Sequence, residues 1–107
     1  YRKEMGIVIN RDEIRILAGA GEKFTAEAQK GTDGFYRAAI GLAPKAIAIR
    51  PIKPGKGGLR VRGISKSSAL YISCKKLISG LELSLPVRML AEWDDEHQML
   101  VAKFPEL

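Results

Sequence analysis

Lys53-Pro54-Gly55-Lys56-Gly57-Gly58 runs into Leu59-Arg60-Val61-Arg62-Gly63-Ile64, then Ser65-Lys66-Ser67-Ser68, then Ala69-Leu70-Tyr71-Ile72-Ser73-Cys74 and Lys75-Lys76-Leu77-Ile78. A breaker-rich connector leads into a strand, a polar turn, a second strand and the basic start of a short helix. Successive side chains of a strand point to opposite faces, so Leu59 and Val61 share one face while Arg60 and Arg62 share the other. Charge marks the same region. From Gly34 to Leu81 there is no Asp or Glu, whereas Arg37, Lys45, Arg50, Lys53, Lys56, Arg60, Arg62, Lys66, Lys75 and Lys76 all fall inside that window.

The same order of elements occurs upstream. Met5-Gly6-Ile7-Val8-Ile9 is a short β-type run, followed by the charged turn Asn10-Arg11-Asp12-Glu13 and then Ile14-Arg15-Ile16-Leu17, where isoleucine alternates with arginine. After the small residues Ala18-Gly19-Ala20-Gly21, the spacing predicts a helix over 22–30 that stops at Gly31, with Phe24 and Ala28 on one face. A hairpin is expected from 36–42 and 46–50 around Ala43-Pro44-Lys45. Downstream of the opening stretch, a helix is predicted over 75–83 and a closing hairpin from 87–93 and 99–104. The chain thus reads as two similar halves, 1–52 and 59–107, joined by the connector at 53–58.

Each half is too small to bury a self-sufficient core, and two halves packed together solve that problem. The closing strands supply the apolar faces expected to meet, Tyr36, Ala38, Ile40 and Leu42 in one half and Val87, Met89, Ala91 and Trp93 in the other. The connector glycines Gly57 and Gly58 are expected to tolerate substitution better than Ile47 or Val101.

At 107 residues and 46% apolar, the composition is that of one small folded domain. No apolar run is long enough for a membrane span and no signal-peptide pattern is present, so a cytoplasmic setting is expected. One cysteine excludes an internal disulfide and leaves too few thiols for a zinc site. A net charge of +6 makes a polyanion a plausible partner.

The run from Leu59 to Phe104 resembles the AbrB-like transition-state regulators, bacterial swapped-hairpin DNA-binding domains. The order matches, from basic strand through polar turn, the strand Leu70-Tyr71-Ile72, a short helix and a hairpin. Residues 91–102 (Ala-Glu-Trp-Asp-Asp-Glu-His-Gln-Met-Leu-Val-Ala) are similar to that family's closing hairpin. The turn carries Ser67-Ser68 where the family usually has Gly-Arg. The resemblance implies a mainly β fold with short helices, a pseudo-symmetric swapped-hairpin β-barrel. It also implies a homodimer, unless the two halves of one chain already supply both units. Carried onto matching positions, it implicates Arg60, Arg62 and Lys66 in contact with DNA and, through the internal repeat, Arg11 and Arg15.

Planar guanidinium forks suit phosphate oxygens and guanine edges, which is what Arg60 and Arg62 offer. The plainer alternative is a solvated strand face that discourages edge pairing. Lys75 and Lys76 read first as solubilising charge; as phosphate contacts they would hold register without reading sequence. Asp94-Asp95-Glu96 reads as a solvated turn. His97 is the only histidine, Cys74 reads as a small buried residue and Trp93 as core. No catalytic set assembles, and no cofactor or metal is expected. The expectation is a transcriptional regulator that contacts duplex DNA. The alternatives are a non-catalytic protein-interaction module of the same fold and an RNA-binding protein.

Overall fold

Alternation decides the inside and outside of nearly every strand. In β2 (Glu13–Ile16), Ile14 and Ile16 are fully buried while Arg15 faces solvent, and β6 (Leu70–Ser73) buries Leu70 and Ile72 in the same way. The computed structural model describes residues 4–64 and 66–105. Around those two strands stand β1 (Gly6–Ile9), α1 (Ala18–Glu27), β3 (Tyr36–Ala43), β4 (Ala46–Ile52), β5 (Leu59–Gly63), α2 (Lys75–Ser79), β7 (Val87–Asp94) and β8 (Met99–Lys103). Ser65, in the predicted polar turn, lies outside the described residues.

Among the described residues the eight strands close into an antiparallel barrel in the order β1-β2-β6-β5-β3-β4-β8-β7, with β7 pairing back onto β1. Closure gives every strand a partner on each side over at least part of its length. Exchanging β1 with β5, β2 with β6, β3 with β7 and β4 with β8 leaves this set of pairings unchanged. Register follows the same exchange where β2 meets β6. Ile14 faces Ile72 and Ile16 faces Leu70, so the pairing reads the same after Ile14 trades with Leu70 and Ile16 with Ile72. Arg15 and Tyr71 face each other between those two pairs, and Ala48 faces Val101 in the β4–β8 ladder.

One apolar cluster fills the barrel. Ile7, Ile9, Ile14, Ile16, Ala38, Ile47 and Ile49 meet Val61, Leu70, Ile72, Met89, Ala91, Leu100 and Ala102 inside it. Fully burying each large aliphatic side chain contributes about 1.5–3 kcal/mol. No polar or charged side chain among the described residues is buried, so the inward pattern alone fixes register. Helix α1 packs against β1, β4, β7 and β8 and inserts Ala20 and Phe24 into the cluster.

Several expectations need correction. Helix α1 begins at Ala18 rather than at residue 22, and ends at Glu27 rather than near Gly31. Its first turn is held by the Glu4 carbonyl, which accepts from the N–H groups of Gly19 (2.8 Å) and Ala20 (3.3 Å). Helix α2 ends at Ser79, with Gly80 at its C-cap. Beyond it Leu81, Leu83 and Leu85 alternate with exposed residues and pack on the core from a non-helical segment, so the predicted helical turn through 83 does not form. Leu42, expected inside, is 48% exposed, and Ile40 is only half-buried. Strand β5 covers β3 only at Tyr36–Ala38, so the far end of β3 has a neighbour on one side alone. Gly58 is not permissive. It adopts φ +91°, and a Cβ there would clash with the Ile52 Cδ1 atom and lie 2.9 Å from the Ala38 carbonyl oxygen. Gly57 (φ +81°) has open space around it.

Candidate nucleic-acid interface

The outward positions of the sheet β7-β1-β2-β6-β5 line up across five strands. Val8 lies opposite Arg88 on one side and Arg15 on the other; Arg15 lies opposite Tyr71, and Tyr71 opposite Arg62. Neighbouring strands are about 4.8 Å apart, so this row runs roughly 19 Å along the barrel surface. Arg15, Arg62 and Arg88 are exposed, while Val8 and Tyr71 are half-buried between them. Arg15 is the middle member of the row, facing Tyr71 in the β2–β6 ladder.

The row ends beside a cluster at the start of β3. Arg37 lies opposite Arg60 in the β3–β5 ladder. Phe35, just before β3, carries both exposed guanidiniums of β5 over its ring, Arg60 at 5.5 Å and Arg62 at 5.1 Å from the centroid. Such stacking adds roughly 0.5–1 kcal/mol at exposed sites. Asp33 is engaged elsewhere, accepting from Arg37 at 2.5 Å and from the Phe35 N–H at 3.1 Å. Those two donors, the arginine first, hold the Asp33 carboxyl below its usual range.

Ion pairing separates the cations of this face. Arg15 meets Glu13 at 3.4 Å, Arg88 meets Glu4, and Lys75 meets Asp12 at 4.0 Å, all exposed or part-exposed pairs. Pairs of that kind are worth about 0–1 kcal/mol and yield readily to another anion. Among the described residues Arg60 and Arg62 make no close ion pair; both lie over the Phe35 ring, and the Arg60 charge also acts at longer range on Asp33.

The sequence-predicted residues distribute as follows. Arg60 and Arg62 lie on the outer face of β5, and Arg15 reaches the same face from β2. The turns at the two ends of this sheet carry the others. Arg11 is exposed in the β1–β2 turn, and Lys66 is exposed in the β5–β6 turn with φ 61°. Pairing of Ile9 with Ile14 and of Gly63 with Leu70 puts those turns at opposite ends of the β2–β6 ladder. Lys75 and Lys76 are exposed on α2, next to the Arg11 end through the Lys75–Asp12 pair and the bond from the Cys74 N–H to the Asp12 carbonyl (3.1 Å).

Tyr71, Phe35, Arg37 and Arg88 join this surface without having been singled out. Tyr71 alternates with Leu70 and Ile72, which already sends its ring outward. Arg88, between Val87 and Met89, carries the same signal, whereas Phe35 carries none, because its neighbours Arg60 and Arg62 come from a strand distant in sequence.

Other clusters have local explanations. Ligand-type atoms of Asp94, Glu96 and His97 lie within 4.8 Å of one another. Asp94 there accepts from the His97 backbone N–H (3.1 Å) and pairs with its Nδ1 (2.8 Å), which closes the β7–β8 turn and lowers the Asp94 pKa. Cys74 is buried, and burial pushes its thiol pKa up, away from the thiolate. Trp93 is half-buried against the core. No helix of the described residues is long and apolar enough to cross a membrane.

No family model, curated protein or solved structure matches this chain.

Proposed function

We propose that the chain is a DNA-binding regulator of transcription that grips duplex DNA with the outer face of β1, β2, β6 and β5. The observation that carries the reading is the cross-strand row Arg88, Val8, Arg15, Tyr71 and Arg62, extended by Arg60, in which the two β5 arginines make no close ion pair among the described residues. Free guanidiniums arrayed on a rigid sheet meet phosphates with little ordering cost and release their counterions. The exchange-invariant pairing fits a swapped-hairpin barrel of the AbrB-like kind, with both units in one chain. On that reading the internal axis runs through the row at Arg15 and Tyr71, as a two-fold protein on a pseudo-palindromic site requires. Lys66 and Arg11 then reach the backbone on either side, and Lys75 and Lys76 add phosphate contacts without reading bases.

The test is equilibrium binding to a mixed-sequence duplex at about 50 mM and about 200 mM salt, where phosphate contacts give a steep log–log dependence. Each of Arg15→Ala and Arg11→Ala should reduce the magnitude of that slope by about 0.9. Thermal stability should stay within about 0.5 kcal/mol of wild type, since both side chains are on the surface. If the triple variant R15A/R60A/R62A binds as tightly as wild type, this face is not the DNA surface.

A second reading rests on Leu90, 83% exposed on β7, in an open cleft of about 420 Å³ with Arg88, Met89, Val101, Lys103 and Pro105. A protein partner or a second copy of the chain would cover that apolar surface. Wild type that fails to bind duplex at low salt, and sediments as a dimer that Leu90→Ser dissociates, would favour it.

A further inference from the structure

Phe35 occupies an unusual place for a large apolar side chain. Its backbone is fixed, since the N–H donates to Asp33 (3.1 Å) and the carbonyl accepts from Gly31 (2.8 Å). Its ring is half-buried but stands apart from the hydrophobic cluster of the barrel. Instead, Arg60 and Arg62 both lie over it.

An aromatic ring at a nucleic-acid surface has three uses: to stack on an unpaired base, to steady neighbouring cations, or to touch a thymine methyl group. Stacking on a base needs a ring face free of cations, and here two guanidiniums already lie over the ring. Contact with a methyl group needs only the ring edge. Spacing then narrows the choice. Arg60 and Arg62 are two residues apart on one face of β5, so their stems are separated by about 6.6–6.8 Å. Successive base pairs are about 3.4 Å apart along the duplex. The two stems therefore match base pairs separated by one intervening pair, and the Phe35 ring, 5.5 and 5.1 Å from the two guanidiniums, is shared between them.

The geometry points to Arg60, Phe35 and Arg62 as a base-reading unit that prefers two G·C pairs flanking one A·T pair, with the thymine methyl against the Phe35 ring. Each guanidinium offers its fork to O6 and N7 of a guanine, and the ring restricts the rotamers of both forks before DNA arrives. Arg37, opposite Arg60, is engaged by Asp33 and stays out of the reading unit. This inference rests on the duplex-binding reading above and assigns its specificity.

The experiment uses the full chain. Sites are selected from a randomised duplex library, and the selected site is then modified one atom group at a time. 7-Deazaguanine removes only the N7 acceptor, and deoxyuridine in place of thymidine removes only the methyl group. Enrichment of two guanines one base pair apart, on either strand, with a thymine in the middle pair is expected. Each deazaguanine should weaken wild-type binding roughly tenfold, and one of R60A or R62A should be blind to each replacement. Deoxyuridine should weaken wild type several-fold and leave Phe35→Ala unaffected. Phe35→Leu keeps an apolar edge without the cation–π contact, so it should retain the methyl preference and lose guanine discrimination.

Selected sites without the triplet, or wild-type binding indifferent to both replacements, would overturn the reading unit while leaving the DNA surface in place. Equal weakening of F35A on all duplexes, with the base preferences unchanged, would reduce Phe35 to a structural support and overturn it too. Absence of any duplex binding by wild type at low salt removes the functional reading, and this inference with it.

Discussion

Asp33 shows how one carboxylate divides a basic cluster into engaged and free cations. Its hydrogen bonds from Arg37 and the Phe35 N–H favour the ionised form, so the folded-state pKa lies below the ordinary value of 3.8. The sign follows from linkage: with the folded pKa depressed, the contribution to stability is fully present above the unfolded value and is lost as pH falls through the folded one. A side-chain NMR titration should therefore give Asp33 a midpoint below 3.8 in wild type and one that moves back toward it in Arg37→Ala. A midpoint unchanged by that substitution would mean that the Asp33–Arg37 bond does not persist in solution. Alternation placed Arg15, Arg60 and Arg62 on the outside of their strands, and charge counting marked the acid-free window. Sequence could not give the Phe35 contact, because Phe35 and Arg62 are brought together by a ladder between β3 and β5. Nor could it give the obligation at Gly58, where the obstacle is the Ile52 side chain and an Ala38 carbonyl folded back onto the connector.

At the scale of elements, the short strands were legible because most alternate, whereas α1 was shifted and α2 starts as expected at Lys75 but ends early. The stretch Ala18-Gly19-Ala20-Gly21 looks like a linker by composition and is instead the first turn of α1. Its smallness has a packing cause, since a Cβ at Gly21 would clash with the Ser68 carbonyl oxygen in the β5–β6 turn. Helix propensity and packing thus make opposite predictions for one substitution. Gly→Ala inside a helix ordinarily stabilises by roughly 0.5–1 kcal/mol. Gly21→Ala should instead destabilise, by about 1–3 kcal/mol, because the backbone contact cannot relax without moving the helix or the turn. Urea unfolding of the two proteins decides it, and a stabilised Gly21→Ala would mean that α1 does not lie against that turn. The displaced end of α2 has a related cause. Leu81, Leu83 and Leu85 satisfy the core from a non-helical segment, with a two-residue periodicity that the run of leucines also permits as helix.

For the whole molecule, the question is whether the two halves are separable. Every strand pairs with at least one strand of the other half, through β2–β6, β4–β8, β1–β7 and β3–β5. A half on its own would expose four strand edges and most of one face of the core, which a chain of that size cannot offset. Ile40, expected on the inward face, is only half-buried, so a sharper probe is Ile47, 1% exposed and paired with Ala102 across the β4–β8 ladder. Ile47→Ala should cost about 2–5 kcal/mol, the range for truncating a buried aliphatic side chain. Trp93, the only tryptophan, lies in the other half and reports on it separately. If the halves fold as one unit, the denaturant midpoint read from Trp93 fluorescence should fall together with that read from far-UV circular dichroism, in a single transition. A Trp93 transition left in place while part of the dichroism melts early would show the second half standing alone. In that case the Arg15–Tyr71 ladder would have to be a weak contact between two domains, and a DNA surface that depends on both β2 and β5 would lose its rigid base.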